Sequence, residues 1–422
     1  MKIKRFTILF LVFSLVFVIG GLKAQATTLN VIIGDFASDT LEPYFNQFEE
    51  ETGIEVEYEA YPFRELFETI EVRNEAESNN VDVIFVDSPV TSSYAIRGLI
   101  DPLEEHFSQE LENNIWYDTT EKAGSWNGTL YSAPLNEASQ VMYYNKDLLS
   151  ENNIEFPSTD LNDRWTWEHI VEAGKKITDK DTGTWGFIFQ SVNLYNQIQP
   201  LPSSLGGGSG VIDDGQKADI TNEEWVEAMT FYHNLFNKWE IAPKGVGFQE
   251  TADLFASGKV GFYISGLWDV PYFEQSDVNF GVAPHPYFEE GTPATPSNSW
   301  HLGLWSYSEN KSEALKLIKY LTTNPEVQVS RLEEQGEFPA IIEAIETIEE
   351  KPKYQENPWI AYKIGAQELE KTAITRAETP AYLEFENILS TTFENIRNGA
   401  EPEKELQKAE EEINQKMQRY QF

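Results

Sequence analysis

The chain has no cysteine among its 422 residues. That excludes disulfide bridges, thiol catalysis and a lipid-modified cysteine behind an export signal. Histidine is nearly as scarce. The five present (His106, His169, His233, His285 and His301) include no HExxH or other close pairing on which a metal centre could be built. Basic side chains number 31 against 70 acidic ones, for a formal net charge of −39. So acidic a surface repels phosphate backbones and anionic lipid, which argues against a nucleic-acid partner. Solubility in saline surroundings would account for it equally well. A G-x-S-x-G nucleophile elbow is also missing. The glycine run "LGGGSG" at 205–210 lacks the Lys-Ser/Thr of a phosphate loop and reads as a flexible loop at most. "DKDTG" (Asp179–Gly183) has too few ligands in register for calcium and reads as a turn. Nothing in the sequence implies a cofactor.

One long apolar stretch is present, at the start. Met1–Ala26 has a basic beginning (Lys2, Lys4, Arg5), an apolar segment to about Leu22 and a small-residue site at Ala24-Gln25-Ala26. It reads as an export signal, with a retained membrane anchor as the alternative because the apolar stretch is somewhat long. With no cysteine to carry lipid, the expected location is periplasmic or extracellular. No later segment approaches the roughly 18 apolar residues a bilayer span requires. The remaining chain is too long for one ordinary core and suggests two domains.

Local patterns support an α/β organisation. "LNVIIGDF" (29–36) and "VDVIFVDSP" (81–89) read as buried strands running into loops, and Ile54, Val56 and Tyr58 alternate as one face of a third strand. Leu41, Tyr44, Phe45 and Phe48 form a helical stripe stopped near Gly53. Ser88 could cap, and Pro89 begin, a helix closing at Gly98. Thr166 can cap the next helical block, and Thr221 with Glu224 makes a capping box before another. Strand signals return near 259–265, 278–283 and 300–306, with helices between and after. A chain that crosses more than once between two α/β lobes, the first with a largely parallel sheet, fits this order.

The segment "WNGTLYSAPLNEASQVMYYNKDLLSENNIEFPSTDLNDRWTWEHIVEAGKKIT" (126–178) resembles the family 1 extracellular solute-binding proteins of ABC importers, the maltose-binding-protein-like group. Supporting stretches at 82–103, 254–268, 280–288 and 299–321 follow in the family's order. The resemblance implies a two-lobed periplasmic-binding-protein fold of type II with multiple interlobe crossings. The expected division is residues 27–139 plus 266–307 in an N-terminal lobe and 140–265 plus 308–422 in a C-terminal lobe. It further implies a binding protein rather than an enzyme: a monomer that captures a sugar in the cleft, closes about a hinge and docks on a membrane permease.

A sugar site needs flat aromatic faces against C–H patches and charged or polar groups on hydroxyls. Ligands of α/β sheets collect at the carboxyl ends of strands, which nominates Asp35, Phe36, Asp87 and Ser88. Arg64 is a further candidate, with a solvated helix charge as the plainer reading. The resemblance places Trp268 in the cleft, beside Asp269, which could instead cap a turn. It likewise places Trp300 at the cleft side with His301 adjacent, and leaves Trp305 to the core or hinge. Glu137 lies near the family's acidic contact but one position off the pattern, and Glu337 and Phe338 enter only through the "GEFP" loop. "WTW" (165–167) reads as staple and core packing around a helix cap. The competing function is a secreted carbohydrate-active enzyme, a hydrolase or lyase, since 70 carboxylates always allow a catalytic pair to be proposed.

Overall fold

The computed structural model describes residues 27–297 and 300–420; the expected export segment lies outside them. The chain opens with β1 (Thr28–Gly34), α1 (Ser38–Thr52), β2 (Glu55–Tyr61), α2 (Phe63–Glu75) and β3 (Val83–Asp87). Further on, β4 (Ser132–Pro134) leads directly to β5 (Gln140–Asn145), followed by α3 (Trp167–Ile177), β6 (Trp185–Phe189), α4 (Glu223–Asn237), β7 (Val260–Gly266) and β8 (Phe280–Ala283). Two short crossing pieces, β9 (Thr295–Pro296) and β10 (Trp300–Leu304), precede α5 (Lys311–Thr323) and α6 (Pro325–Gln335). The chain ends with α7 (Ile360–Lys371), β11 (Ala373–Ile374), α8 (Tyr382–Arg397) and α9 (Pro402–Met417).

Sequence pattern explains most of these elements. α1 buries the predicted stripe of Leu41, Tyr44, Phe45 and Phe48, and Gly53 ends it in the left-handed conformation, φ 72°. β2 lies at the outside of its sheet and points Glu55, Glu57 and Glu59 to solvent. Thr166 caps α3 by accepting from the His169 N–H at 3.3 Å. Two predicted caps shift. Ser88 is itself the first residue of a 3-10 turn (Ser88–Val90) and makes no cap bond. The cap of α4 is Asn222, which accepts from the Trp225 N–H at 2.9 Å, while the Thr221 hydroxyl donates to Glu410 at 3.0 Å. Asn is at least as good a cap as Thr, and it stands one residue nearer the helix.

The strands form two principal sheets, ordered β2-β1-β3-β10-β4 and β8-β5-β7-β6. β1 pairs in parallel with β2 and β3, as the sequence suggests. β10 runs antiparallel to β3 and to β4, so the first sheet is mixed rather than largely parallel. The physical reason is that β10 re-enters the first lobe from the second, and so starts where β3 ends.

Among the described residues three crossings join the lobes: residues 135–139 between β4 and β5, the segment ending at residue 297 between β8 and β10, and the turn beginning at Gly336 after α6. The lobe boundaries differ from the expected division. β8 pairs with β5, so 266–283 stays with the second sheet. α5 packs on β10 and β4, and α6 packs on α1 and α5, so 308–335 joins the first. A strand ending at Gly266 looks the same in sequence whether the chain crosses or turns back within its lobe. Among the described residues no helix is long and apolar enough to cross a membrane.

The second lobe depends on one close approach. A Cβ on Gly186 of β6 would stand 2.4 Å from the Gly174 carbonyl oxygen of α3, so helix and sheet meet backbone to backbone. Overpacking of this kind costs on the order of 1–3 kcal/mol. Gly186→Ala should lower the thermal unfolding midpoint measurably, whereas Ala at Gly207, which faces mostly side chains at 3.0 Å or more, should lower it less.

Candidate functional site

The register of the sheets fixes which ends face the gap. Trp300, which follows the second crossing, pairs with Asp87, and Gly266 pairs with Gln140, which follows the first. The carboxyl ends of β1, β3, β6 and β7 therefore all point at the interlobe gap. Asp35 and Phe36 follow β1, Asp87 and Ser88 end β3, and Trp268 follows β7, where the strand-end rule looks for ligand contacts.

An aromatic platform forms on the first lobe. The Trp300 indole packs with Phe36 (ring centroids 5.0 Å apart), Phe85 (5.7 Å) and Phe63 (6.0 Å, perpendicular). Phe36 remains 49% exposed and Phe63 39%, an uncommon state for large apolar rings. On the second lobe Trp268 is 41% exposed. Asp35 and Arg64 are solvent-exposed beside the platform residues in sequence. Trp305 lies on the other face of the first sheet, fully buried, its indole N–H donating to the Ser78 carbonyl at 2.8 Å. The two tryptophans thus divide as the alternation of a strand requires.

Asp87 takes a more committed position than the sequence suggested. Arg376, which follows β11 in the second lobe, donates from Nη1 to Oδ2 at 3.0 Å and from Nη2 to Oδ1. Both side chains are buried, and Ser88 Oγ lies 3.4 Å from Arg376 Nη2. The pair spans the lobes. Near it, Glu386 on α8 accepts from the Tyr382 hydroxyl at 3.0 Å. Enclosure raises the Glu386 carboxyl to about 7 against the pull of Arg376, with Asp87 adding to the rise. The floor of the second lobe holds buried Gln140 and Gln190, whose Nε2 and Oε1 atoms respectively lack a partner among the described residues. Sequence reasoning missed Arg376, Glu386, Tyr382, Phe63 and these glutamines. The only available signal was a single arginine in the otherwise small and apolar run "AITRA" (373–377).

Several sequence candidates sit elsewhere than expected. Glu137 is buried and satisfied, accepting from Thr120 Oγ1 (2.7 Å), Ser297 Oγ (2.9 Å) and the Ala138 N–H (3.0 Å); it is a hinge residue, not a wall of the gap. Burial raises its pKa against those three donors. His301 is on the strand face opposite Trp300, buried against Ser132 Oγ at 2.9 Å and held neutral by burial, which pushes it down to about 3. Asp269 turns into its own lobe, accepting from Ser265 Oγ at 2.6 Å and the Tyr263 hydroxyl at 3.1 Å. Phe338 is buried beside Tyr362. Glu337 is half-buried on the third crossing, where Asn136 Nδ2 donates to it at 2.9 Å. Among the described residues no group of three or more His, Asp or Glu is arranged to hold a metal ion.

Comparisons with known proteins agree with this architecture. The family described as bacterial extracellular solute-binding protein matches residues 37–328. A putative binding protein of Brucella abortus is 22% identical over 308 residues, covering 71% of this chain and 73% of its own. The galactooligosaccharide-binding protein of Bacillus subtilis is 27% identical over 312 residues, covering 70% and 68%. The fold matches a substrate-binding protein from Listeria monocytogenes solved with cycloalternan, with a TM-score of 0.82 at 22% identity over 93% of this chain and 100% of that one.

Asp269 supplies a pH test. Burial pushes its carboxyl up to about 6 from 3.8, outweighing the donors Ser265 and Tyr263. A folded value above the unfolded one means that this group's stabilisation is complete below about pH 4 and lost as pH rises through 6. The loss is on the order of 3 kcal/mol. Asp269→Asn, which keeps an acceptor and cannot ionise, should flatten the fall in thermal midpoint between pH 4 and 7 and melt above wild type at pH 7.5.

Proposed function

The chain belongs to the bacterial extracellular solute-binding protein family, and from that premise we propose that it captures a neutral sugar or oligosaccharide between its lobes and delivers it to the permease of an ABC importer. The observation that carries this reading is the aromatic platform of Phe36, Phe63 and Trp300, left open at the strand ends that face Trp268 and the buried Asp87–Arg376 pair. Flat rings suit the C–H faces of a pyranose, and charge-assisted bonds to hydroxyls are worth on the order of 1.5–3 kcal/mol each. The gap's carboxylates (Asp35, Asp87, Glu386) outnumber its cations (Arg64, Arg376), which disfavours an anionic solute.

Closure about the three crossings supplies the mechanism. A ligand that touches both lobes stabilises the closed form by its differential contacts, and the permease reads that shape. The protein acts as an exported monomer in the periplasm or outside the cell, directed there by Met1–Ala26. It performs no chemistry on its cargo. Two of the carboxylates that a hydrolase could have used, Asp87 and Glu137, are committed to buried partners.

Thermal melting against maltotriose, galacto-oligosaccharides, hexoses and polyols, with glycerol 3-phosphate as anionic control, tests the reading. A bound sugar at 100 times its Kd should add about 2.7 kcal/mol of stability. Trp300→Ala and Trp268→Ala should each remove that shift, and chromatography of the same samples should recover the sugar unchanged. New products, or a response only to the phosphate ester, would overturn it.

A further inference from the structure

Arg376 has a hydrogen-bonding edge that Asp87 does not use. Asp87 takes Nη1 and Nη2, while the buried Nε–H has no partner among the described residues. The guanidinium lies over the Tyr382 ring, 5.9 Å from its centroid, and that ring's hydroxyl donates to Glu386 at 3.0 Å. Arg376 therefore stands between two carboxylates. Asp87 belongs to the first lobe and Glu386 to Arg376's own lobe.

We propose that Glu386 is a positioning residue for Arg376: it receives the guanidinium when Asp87 departs with the first lobe, so that opening of the lobes releases a proton. While Asp87 holds Arg376, as in this structure, the guanidinium is neutralised, and Glu386 is half-buried with a second carboxylate nearby. Those conditions favour its protonated form. Once Asp87 is withdrawn, water enters, Arg376 carries an uncompensated charge beside Glu386, and the ionised form is favoured. A buried arginine left without a carboxylate would be costly; Glu386 removes that cost from the open state. The neighbours that could compete are few. Arg64 on α2 and Arg376 pull the carboxyl down, and Asp87 pushes it up. Tyr382 and Tyr195 have hydroxyls held well above their ordinary range by burial, so both stay neutral.

Because the form in which Asp87 pairs with Arg376 holds the Glu386 proton up to about pH 7, raising the pH through that value favours opening. The absence of cysteine allows a direct measurement. Spin labels on Glu68→Cys in α2 and Glu227→Cys in α4, both exposed, report the interlobe distance by pulsed electron resonance without any sugar. The closed-to-open ratio should fall about tenfold between pH 6 and pH 8. Glu386→Gln, which cannot ionise, should abolish that fall. Asp87→Asn should favour the open distance at both pH values. A distance distribution in the otherwise wild-type protein that ignores pH, or a pH response that survives Glu386→Gln, would overturn the proposal. The inference rests on lobe opening as read above but not on the solute, so a sugar panel that finds no ligand would leave this result standing, and the reverse also holds.

Discussion

One buried carboxylate ties the three chain crossings together. Glu137 lies on the first crossing, its side chain accepts from Ser297 on the second, and its own N–H donates to the Phe338 carbonyl on the third at 3.0 Å. A further bond from Thr120 fixes it to the first lobe. Burying a carboxylate is costly unless its lone pairs are met, and here three donors meet them. The carboxylate is satisfied only when the first and second crossings are in register with Thr120, and the residue's backbone N–H adds the third. The Asp87–Arg376 link, which spans the lobes, depends on that setting.

A second buried knot anchors the hinge to the second lobe. Glu368 of α7 accepts from Arg164, from the His285 N–H and from Thr295, each at 3.0 Å. Arg164 also donates to the His285 carbonyl at 2.8 Å. His285 is kept neutral, pushed down to about 3 by burial and then by Arg164. The second crossing is therefore gripped at both ends, by Glu368 near its start and by Glu137 near its end. Only short lengths of backbone remain between these grips, the kind of place where hinges concentrate their change.

Local periodicity made the lobes' elements legible, and parity along β10, carried one residue past its end, separated Trp300 from Trp305. What the sequence could not convey was partnership at long range. Glu137 and Asp87 both look like candidates for a sugar hydroxyl. Only the fold reveals that one serves the hinge and the other meets an arginine 289 positions away. His301 is adjacent to a cleft tryptophan, yet one step along a strand reverses the face, so adjacency misled where alternation did not. The misplaced lobe boundaries have the same origin, since a glycine that ends a strand does not say to which sheet the next strand returns.

The outer strand of the first sheet bears on how copies of the chain can meet. β2 presents Glu55, Glu57 and Glu59 along an edge whose backbone would otherwise welcome another chain. Arg73 pairs with Glu59, and the like charges of Glu55 and Glu57 repel a second copy that tries to extend the sheet. Edge-to-edge association of copies is thereby opposed by side chains that lie apart from the aromatic platform.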